Sequence, residues 1–334
     1  MICIFVIIGK KLEDSMGLVG KVVLVLVWAL IASGLELTHK AYFKNPIEVA
    51  GTNGEVVAIG RNGRVEIRNF YRLKKLLSKV ELPPIHGFAK NVLVPMPFYD
   101  IDVIPGGKVV VLGKGDFQYR RLFLIENRKK RFLLKSNLPL TQARFVTPNR
   151  VLTVGLNGEL VLLDSISRRI LWEKRVQLTP PVRFALNFDR TRVAVAGSNG
   201  WIEVYSTLTG KRLYRFRGVN RREPLGLDYY STRIIEGSFD GRVVVYQLPT
   251  GKPVYIRRLA KVIDYYKKPS LPTAVAILND RLIAYTYRNR DIYLYDLKTR
   301  QGQLLKGERY PIVGLQFLPG YLFGYTSHSI TIWR

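Results

Sequence analysis

Few side chains in this 334-residue chain combine the type and spacing that catalysis or metal binding requires. The three histidines, His39, His86 and His328, lie far apart, and the single cysteine, Cys3, stands near the N-terminus. No spacing suits zinc or iron, so neither a metal site nor a cofactor is expected. One cysteine also excludes an intrachain disulfide framework. Gly113-Lys114-Gly115 lacks the Gly-Lys-Ser/Thr ending of a phosphate loop and no helical pattern follows it, so it reads as a turn between strands. Ser198 and Ser238 sit near glycines but without the strand-turn-helix context of a nucleophile elbow. Asp164, Asp228 and Asp296 read as turn or strand-end residues. No catalytic residue is expected from these patterns.

The chemistry the side chains do offer is anion binding. Lys and Arg number 53 against 25 Asp and Glu, a formal charge of +28. A surface that used charge only for ion pairs would interleave both signs to limit self-repulsion. The excess therefore calls for an anionic partner: nucleic acid, an anionic lipid, a glycan or an acidic protein. The candidate anion-binding residues are Arg120, Arg121, Lys129, Lys130, Arg131, Arg215, Arg217, Arg221, Arg222, Arg257, Arg258, Lys267 and Lys268. Tyrosines stand beside several of them, as in Tyr119-Arg120-Arg121, Tyr214-Arg215 and Tyr265-Tyr266-Lys267-Lys268, where rings could stack on single-stranded bases.

The elements that must position these residues are legible in one stretch, Arg183 to Arg217. Phe184 to Phe188 alternates with a period of two, Val193 to Ala196 is a short apolar run, Trp201 to Tyr205 alternates again, and Lys211 to Phe216 is a basic strand. Between them lie Asp189-Arg190-Thr191, Ser198-Asn199-Gly200 and Thr207-Leu208-Thr209-Gly210, all with turn chemistry. Four antiparallel strands in about forty residues is the repeat length of a propeller blade. The pattern recurs at Ile47 to about Val80, about Phe98 to Lys135, Ala143 to Arg175, Leu225 to Arg258 and about Thr273 to Lys306. A final unit, Ile312 to Arg334, has only three strands.

Glu36 to Phe43 can supply the missing strand by pairing with Ser329 to Trp333, which closes the ring and leaves no open sheet edge. The expected fold is therefore all-β: a seven-bladed β-propeller of four-stranded antiparallel blades over residues 35–334, closed by an N-terminal strand that completes the last blade. Trp172, Trp201, Tyr205, Tyr246 and Trp333 are expected in the core between blades. The basic clusters fall in or near the fourth, outermost strands, so the charge should form a belt around the rim and one adjoining face.

Residues 1–34 form an N-terminal extension with a hydrophobic segment at 16–34. Read from Met16, it has a short basic n-region with Lys21, an apolar core from Val22 to Ala32 and small residues Ala32-Ser33-Gly34, the parts of a signal peptide. Its apolar run is short beside the about twenty residues of a membrane span, although counting from Gly17 permits an anchor. The start, at Met1 or at Met16, is left open by the sequence.

Ser198-Asn199-Gly200-Trp201-Ile202-Glu203-Val204-Tyr205 and Phe239-Asp240-Gly241-Arg242-Val243-Val244-Val245-Tyr246 resemble the WD40 family, in which such a turn precedes the third strand of a blade. The signature dipeptide is degenerate, as Tyr205-Ser206, Tyr246-Gln247, Tyr295-Asp296 and Leu163-Asp164, and no Gly-His pair opens a blade. Asn157 to Lys174 is equally similar to the quinoprotein (PQQ-repeat) family, whose blades end in a tryptophan at the place of Trp172. The resemblance implies a propeller; fold alone implies no activity. Three functions are compatible with the sequence. The first is a non-enzymatic interaction scaffold at the cell envelope or outside the cell, making protein-protein contacts through its faces and binding an anionic surface through a basic rim. The second is a cytoplasmic propeller bound to RNA or a ribonucleoprotein. The third is a hydrolase or lyase using the central pore.

Overall fold

The structure, a computed structural model, describes residues 35–87, 92–117, 119–259 and 271–334. The hydrophobic segment at 16–34 and the candidates Lys267 and Lys268 lie outside the described residues. Seven four-stranded antiparallel sheets follow one another along the chain. The innermost strands are Val49–Thr52, Phe98–Ile104, Leu140–Thr147, Val182–Leu186, Pro224–Tyr229, Val275–Leu278 and Ile312–Leu318. Together they surround a central channel of about 1010 Å³.

The outermost strands of blades one to six are Leu76–Glu81, Lys129–Ser136, Ile170–Arg175, Arg212–Arg217, Lys252–Arg258 and Gly302–Leu305. In blade seven that place belongs to Leu37–Tyr42, which pairs antiparallel with Ser329–Trp333. The N-terminal strand thus closes the ring, as its position in the sequence predicts.

Each blade is covered on both faces by its neighbours, so its two middle strands read as continuous apolar runs, whereas the outer strands alternate. Lys108–Lys114, Arg150–Gly155 and Arg192–Gly197 are buried over most of their length; Arg212–Arg217 buries Phe216 alone. The core is therefore seven apolar layers, one between each pair of adjacent blades. Tyr205, Tyr246 and Trp333 are buried in these layers, and Trp172 and Trp201 pack partly against one of them.

Gly113-Lys114-Gly115 departs from its expected place. Gly113 and Lys114 still pair with Arg121 and Arg120, so they end a strand, and the turn spans Gly115 to Tyr119. The long connection between blades one and two carries a small hairpin of Ile85–His86 with Leu93–Val94. Antiparallel order gives the ring two distinct faces. The upper face holds the connections between blades and the turns between second and third strands. The lower face holds the turns between first and second strands and between third and fourth strands.

Candidate functional site

Polar side chains line the channel, and the structure binds several of them to the backbone of the adjacent blade. The Asp100 carboxylate accepts from Ala143 N at 2.8 Å and Asp102 from Phe145 N at 2.9 Å, both in blade three. Gln142 Oε1 accepts from Phe184 N of blade four at 3.2 Å, and Asp228 Oδ2 from Ile277 N of blade six at 2.8 Å. Phe188 N donates to Tyr230 O across the interface of blades four and five, at 2.8 Å. Thr273 Oγ1 donates to Ile312 O at 3.1 Å, Gln316 Nε2 to Thr52 O at 3.1 Å, and Asn53 Nδ2 to Ile104 O at 2.9 Å.

Every interface between blades is bridged by one of these bonds. The inner strands do not pair with each other in a ladder, so their free backbone groups need such partners. At six of the seven interfaces a side chain makes this bridge and acts as a clamp, and between blades four and five backbone groups do.

Burial raises three carboxyl groups above the ordinary range: Asp228, Glu236 and, against the opposing pull of Arg144, Asp100. Burial pushes Asp228 up to about 7, opposed by the hydrogen bonds from Ile277 N and Tyr229 N. Asp228 is next to last in the inner strand Pro224–Tyr229, at the strand end expected for it, and it lines the channel. Burial likewise pushes Glu236 up to about 7, although Tyr246 and Asn220 both donate to its Oε2 at 2.9 Å. Asp164 and Asp296 are turn residues, as expected: Asp164 Oδ1 accepts from Ser167 N at 2.7 Å and Asp296 Oδ1 from Lys298 N at 2.8 Å. Among the described residues no group of three or more His, Cys, Asp or Glu side chains is placed to hold a metal ion.

The candidate cations divide by position. Lys129, Lys130 and Arg131 begin the outer strand of blade two; Arg215 and Arg217 lie on that of blade four; Arg257 and Arg258 end that of blade five. Arg221 and Arg222 stand in the connection from blade four to blade five, exposed on the upper face. Arg120 and Arg121 are a correction. They open the third strand of blade two, Arg120–Glu126, one strand further in than the rim, and both are half-buried. Arg120 Nε donates to Leu140 O at 3.1 Å and its guanidinium covers the Tyr99 ring at 4.2 Å, while Arg121 pairs with Asp116. In sequence, a third strand that begins Arg-Arg cannot be told from a basic fourth strand.

Several of the remaining cations have internal partners. Arg215 Nε lies 3.3 Å from the fully buried Glu203 and its guanidinium covers Trp201 at 4.4 Å. Arg257 covers Tyr293 at 4.8 Å, Lys130 Nζ donates to Glu81 O at 2.7 Å, and Arg221 donates to Gly218 O. Arg222 is 3.9 Å from Asp240, at the limit of an ion pair. Lys129, Arg217 and Arg258 are exposed and make no ion pair among the described residues.

Sequence reasoning missed Arg288, Arg290 and Arg309. They are exposed on the same upper face, in the turn between the second and third strands of blade six and in the connection to blade seven. Their signal was the Arg288-Asn289-Arg290 turn, where blades one to five carry glycine. Two acids at this end are held inward: Asp240 accepts from Arg221 N, and the buried Glu308 bonds Lys40 Nζ at 2.8 Å and Ser329 Oγ at 3.0 Å. The upper face of blades four to six is thus arginine-rich.

The fold and this surface define a seven-bladed β-propeller with a cationic upper sector. No family model matches the chain, and no curated protein matches it in sequence.

Proposed function

We propose that this propeller is a non-enzymatic interaction scaffold of the cell envelope that binds an anionic partner through its outer strands and the upper face of blades four to six. One observation carries the reading: Arg217, Arg222 and Arg258 are exposed on the outer strands and the upper face of a chain with a formal charge of +28. Outer strands often carry lysine to block edge pairing. Edge protection does not call for exposed arginines in the connections between blades. The channel carboxylates support the non-enzymatic part, because their oxygens are engaged as clamps between blades.

The test is binding of the full chain to heparin, a soluble polyanion, across a salt series. Affinity should fall steeply with salt, and Arg217→Ala/Arg222→Ala/Arg258→Ala should weaken it at least tenfold with an unchanged melting temperature. Equal affinity of variant and parent would remove this surface from the reading.

A second reading, binding of single-stranded RNA, is favoured by the rings beside the arginines: Trp201 under Arg215, Tyr293 under Arg257 and Tyr310 under Arg309, the last at 5.7 Å. Stacked bases would quench Trp201 fluorescence. A tighter complex with an oligouridylate than with heparin, accompanied by that quenching, would favour RNA over the scaffold reading.

A further inference from the structure

The lower face has a regularity that the fold does not require. Two positions beyond the end of the third strand, blades one to six place Tyr71, Arg128, Ile166, Leu208, Pro249 and Lys298 at the tips of their turns. All six are exposed; Ile166 is 62 % and Leu208 64 % exposed, and Tyr71 is 51 % exposed. Each tip is apolar or cationic, and none is acidic.

The turns themselves are built by other groups. In blade three, Asp164 Oδ1 accepts from Ile166 N at 3.1 Å and from Ser167 N, so the side chain at 166 is free to be polar. In blade four, Thr207 Oγ1 donates to Arg190 O at 2.8 Å and Gly210 takes the positive φ, leaving Leu208 with no packing role. Isolated exposed apolar residues are ordinary; apolar tips recurring at one register position on one face are not.

Cations follow the tips closely. Arg72 and Lys74 stand beside Tyr71, Arg168 and Arg169 beside Ile166, and Lys211 beside Leu208, all exposed. Of the carboxylates that end the third strands here, Asp164 and Asp296 are folded back onto their own backbone and the exposed Glu126 pairs with Lys108 at 3.2 Å.

The seventh position of this ring is where the chain outside the described residues joins. Glu36 pairs with Arg334 at the end of the third strand of blade seven, so Leu35 enters the propeller at the lower face. The 34 residues before it include the apolar run Val22 to Ala32.

We propose that the lower face docks flat on a bilayer containing anionic phospholipid, with Tyr71, Ile166, Leu208 and Pro249 at the level of the headgroups and the flanking cations on the lipid phosphates. An apolar side chain flanked by Lys and Arg suits this interface, because the ring or aliphatic group leaves water while the charge stays at the headgroups. The surface lies opposite the upper face treated above, and the inference holds or fails independently of that face's partner.

The experiment uses the full chain with Cys3→Ser and one added cysteine, Ile166→Cys, Leu208→Cys or, on the upper face, Phe117→Cys, which replaces a residue 79 % exposed. Each protein carries an environment-sensitive fluorophore and is mixed with phosphatidylglycerol–phosphatidylcholine vesicles containing a bromolipid quencher. Labels at 166 and 208 should shift to the blue and be quenched, while the label at 117 is not. Adding Arg168→Glu/Arg169→Glu/Lys211→Glu should weaken vesicle binding by more than about fivefold for each cation removed. Bound protein quenched at 117 as strongly as at 208 would overturn the proposal, as would bound protein quenched at none of the three. Binding left unchanged by the charge reversal, in a variant that melts like its parent, would overturn the role of the cations.

Discussion

Glu36 and Arg334 exchange two backbone hydrogen bonds, each of 2.8 Å, so the first described strand and the last residue of the chain close one sheet. The strand Leu37–Tyr42 buries Ala41 against the layer that also holds Phe43, Ile330 and Ile332. Lys40 adds a 2.8 Å ion pair to the buried Glu308. Deletion of residues 36–43 should therefore expose the edge of Ser329–Trp333 and lower the melting temperature of the whole ring. The milder Ala41→Asp should cost about 3 kcal/mol by burying an unpaired carboxylate. Calorimetry showing equal melting of the deletion variant and the intact protein would show that closure contributes no stability.

The clamps between blades should differ in value according to charge. Asp102 accepts from Phe145 N and pairs with Arg190 Nη1 at 2.8 Å, and the residue is 8 % exposed. Asp102→Ala leaves the Phe145 amide without its acceptor and the Arg190 guanidinium without its counter-charge, holding only Phe145 O, and should cost about 3 kcal/mol. Gln142→Ala removes one neutral bond of 3.2 Å and should cost about 1 kcal/mol. Urea denaturation at neutral pH measures both, and an equal cost for the two would count against the clamp argument.

The blades were legible because turn chemistry repeats in the text. Gly158, Gly200 and Gly241 occupy corresponding turns with φ of 87°, 78° and 70°, a conformation that favours glycine. The strand at 37–42 was legible because the last repeat is one strand short. Lys114 was misplaced because pairing with Arg120 continues through a glycine-flanked lysine, which sequence alone reads as a turn. The channel clamps were not legible at all. Asp228 meets Ile277 N, and Asp102 meets Phe145 N, across a blade boundary, and nothing local marks either partner. The arginine-rich sector was half legible: Arg217 and Arg258 belong to outer strands, whereas Arg290 and Arg309 join them only when the ring closes.

Salt dependence should distinguish the rim arginines from those with structural work. On single-stranded nucleic acid each neutralised phosphate contributes about 0.7 to the slope of log affinity against log salt. Removal of Arg217, Arg222 and Arg258 together should reduce that slope by about 2 if RNA is the partner. Arg120→Ala should instead lower the melting temperature, because the side chain ties Leu140 O and covers Tyr99. A variant series in which Arg120→Ala changes the slope and the rim triple does not would invert the assignment.

Stability should fall as pH rises from about 4.5 to about 7, owing to Glu236 and Asp228. Glu236 and Asp228 are raised to about 7 by burial and buried Asp100 is raised as well, so the folded protein holds protons that the unfolded chain, with ordinary values near 4, has released. Where the folded state binds more protons, raising pH favours unfolding. Their contribution is complete below the unfolded value and lost on passing the folded one. Asp164, Asp189 and Asp296 act in the opposite sense, since hydrogen bonds within their turns, and for Asp296 the Arg281 guanidinium above all, hold them below the usual range, and they should destabilise the fold only in more acidic solution. A stability maximum near pH 5 follows. Glu236→Gln keeps an oxygen that can accept from Tyr246 or Asn220 but has no charge to bury. Relative to the parent, it should gain up to about 3 kcal/mol between pH 4.5 and pH 8. Melting temperatures at these two pH values, for the parent, Glu236→Gln and Glu236→Gln/Asp228→Asn, test this directly. The double variant should lose the part of the slope that Glu236 and Asp228 carry and keep that of Asp100, and a slope equal to the parent's would show that neither of the two carries the raised value.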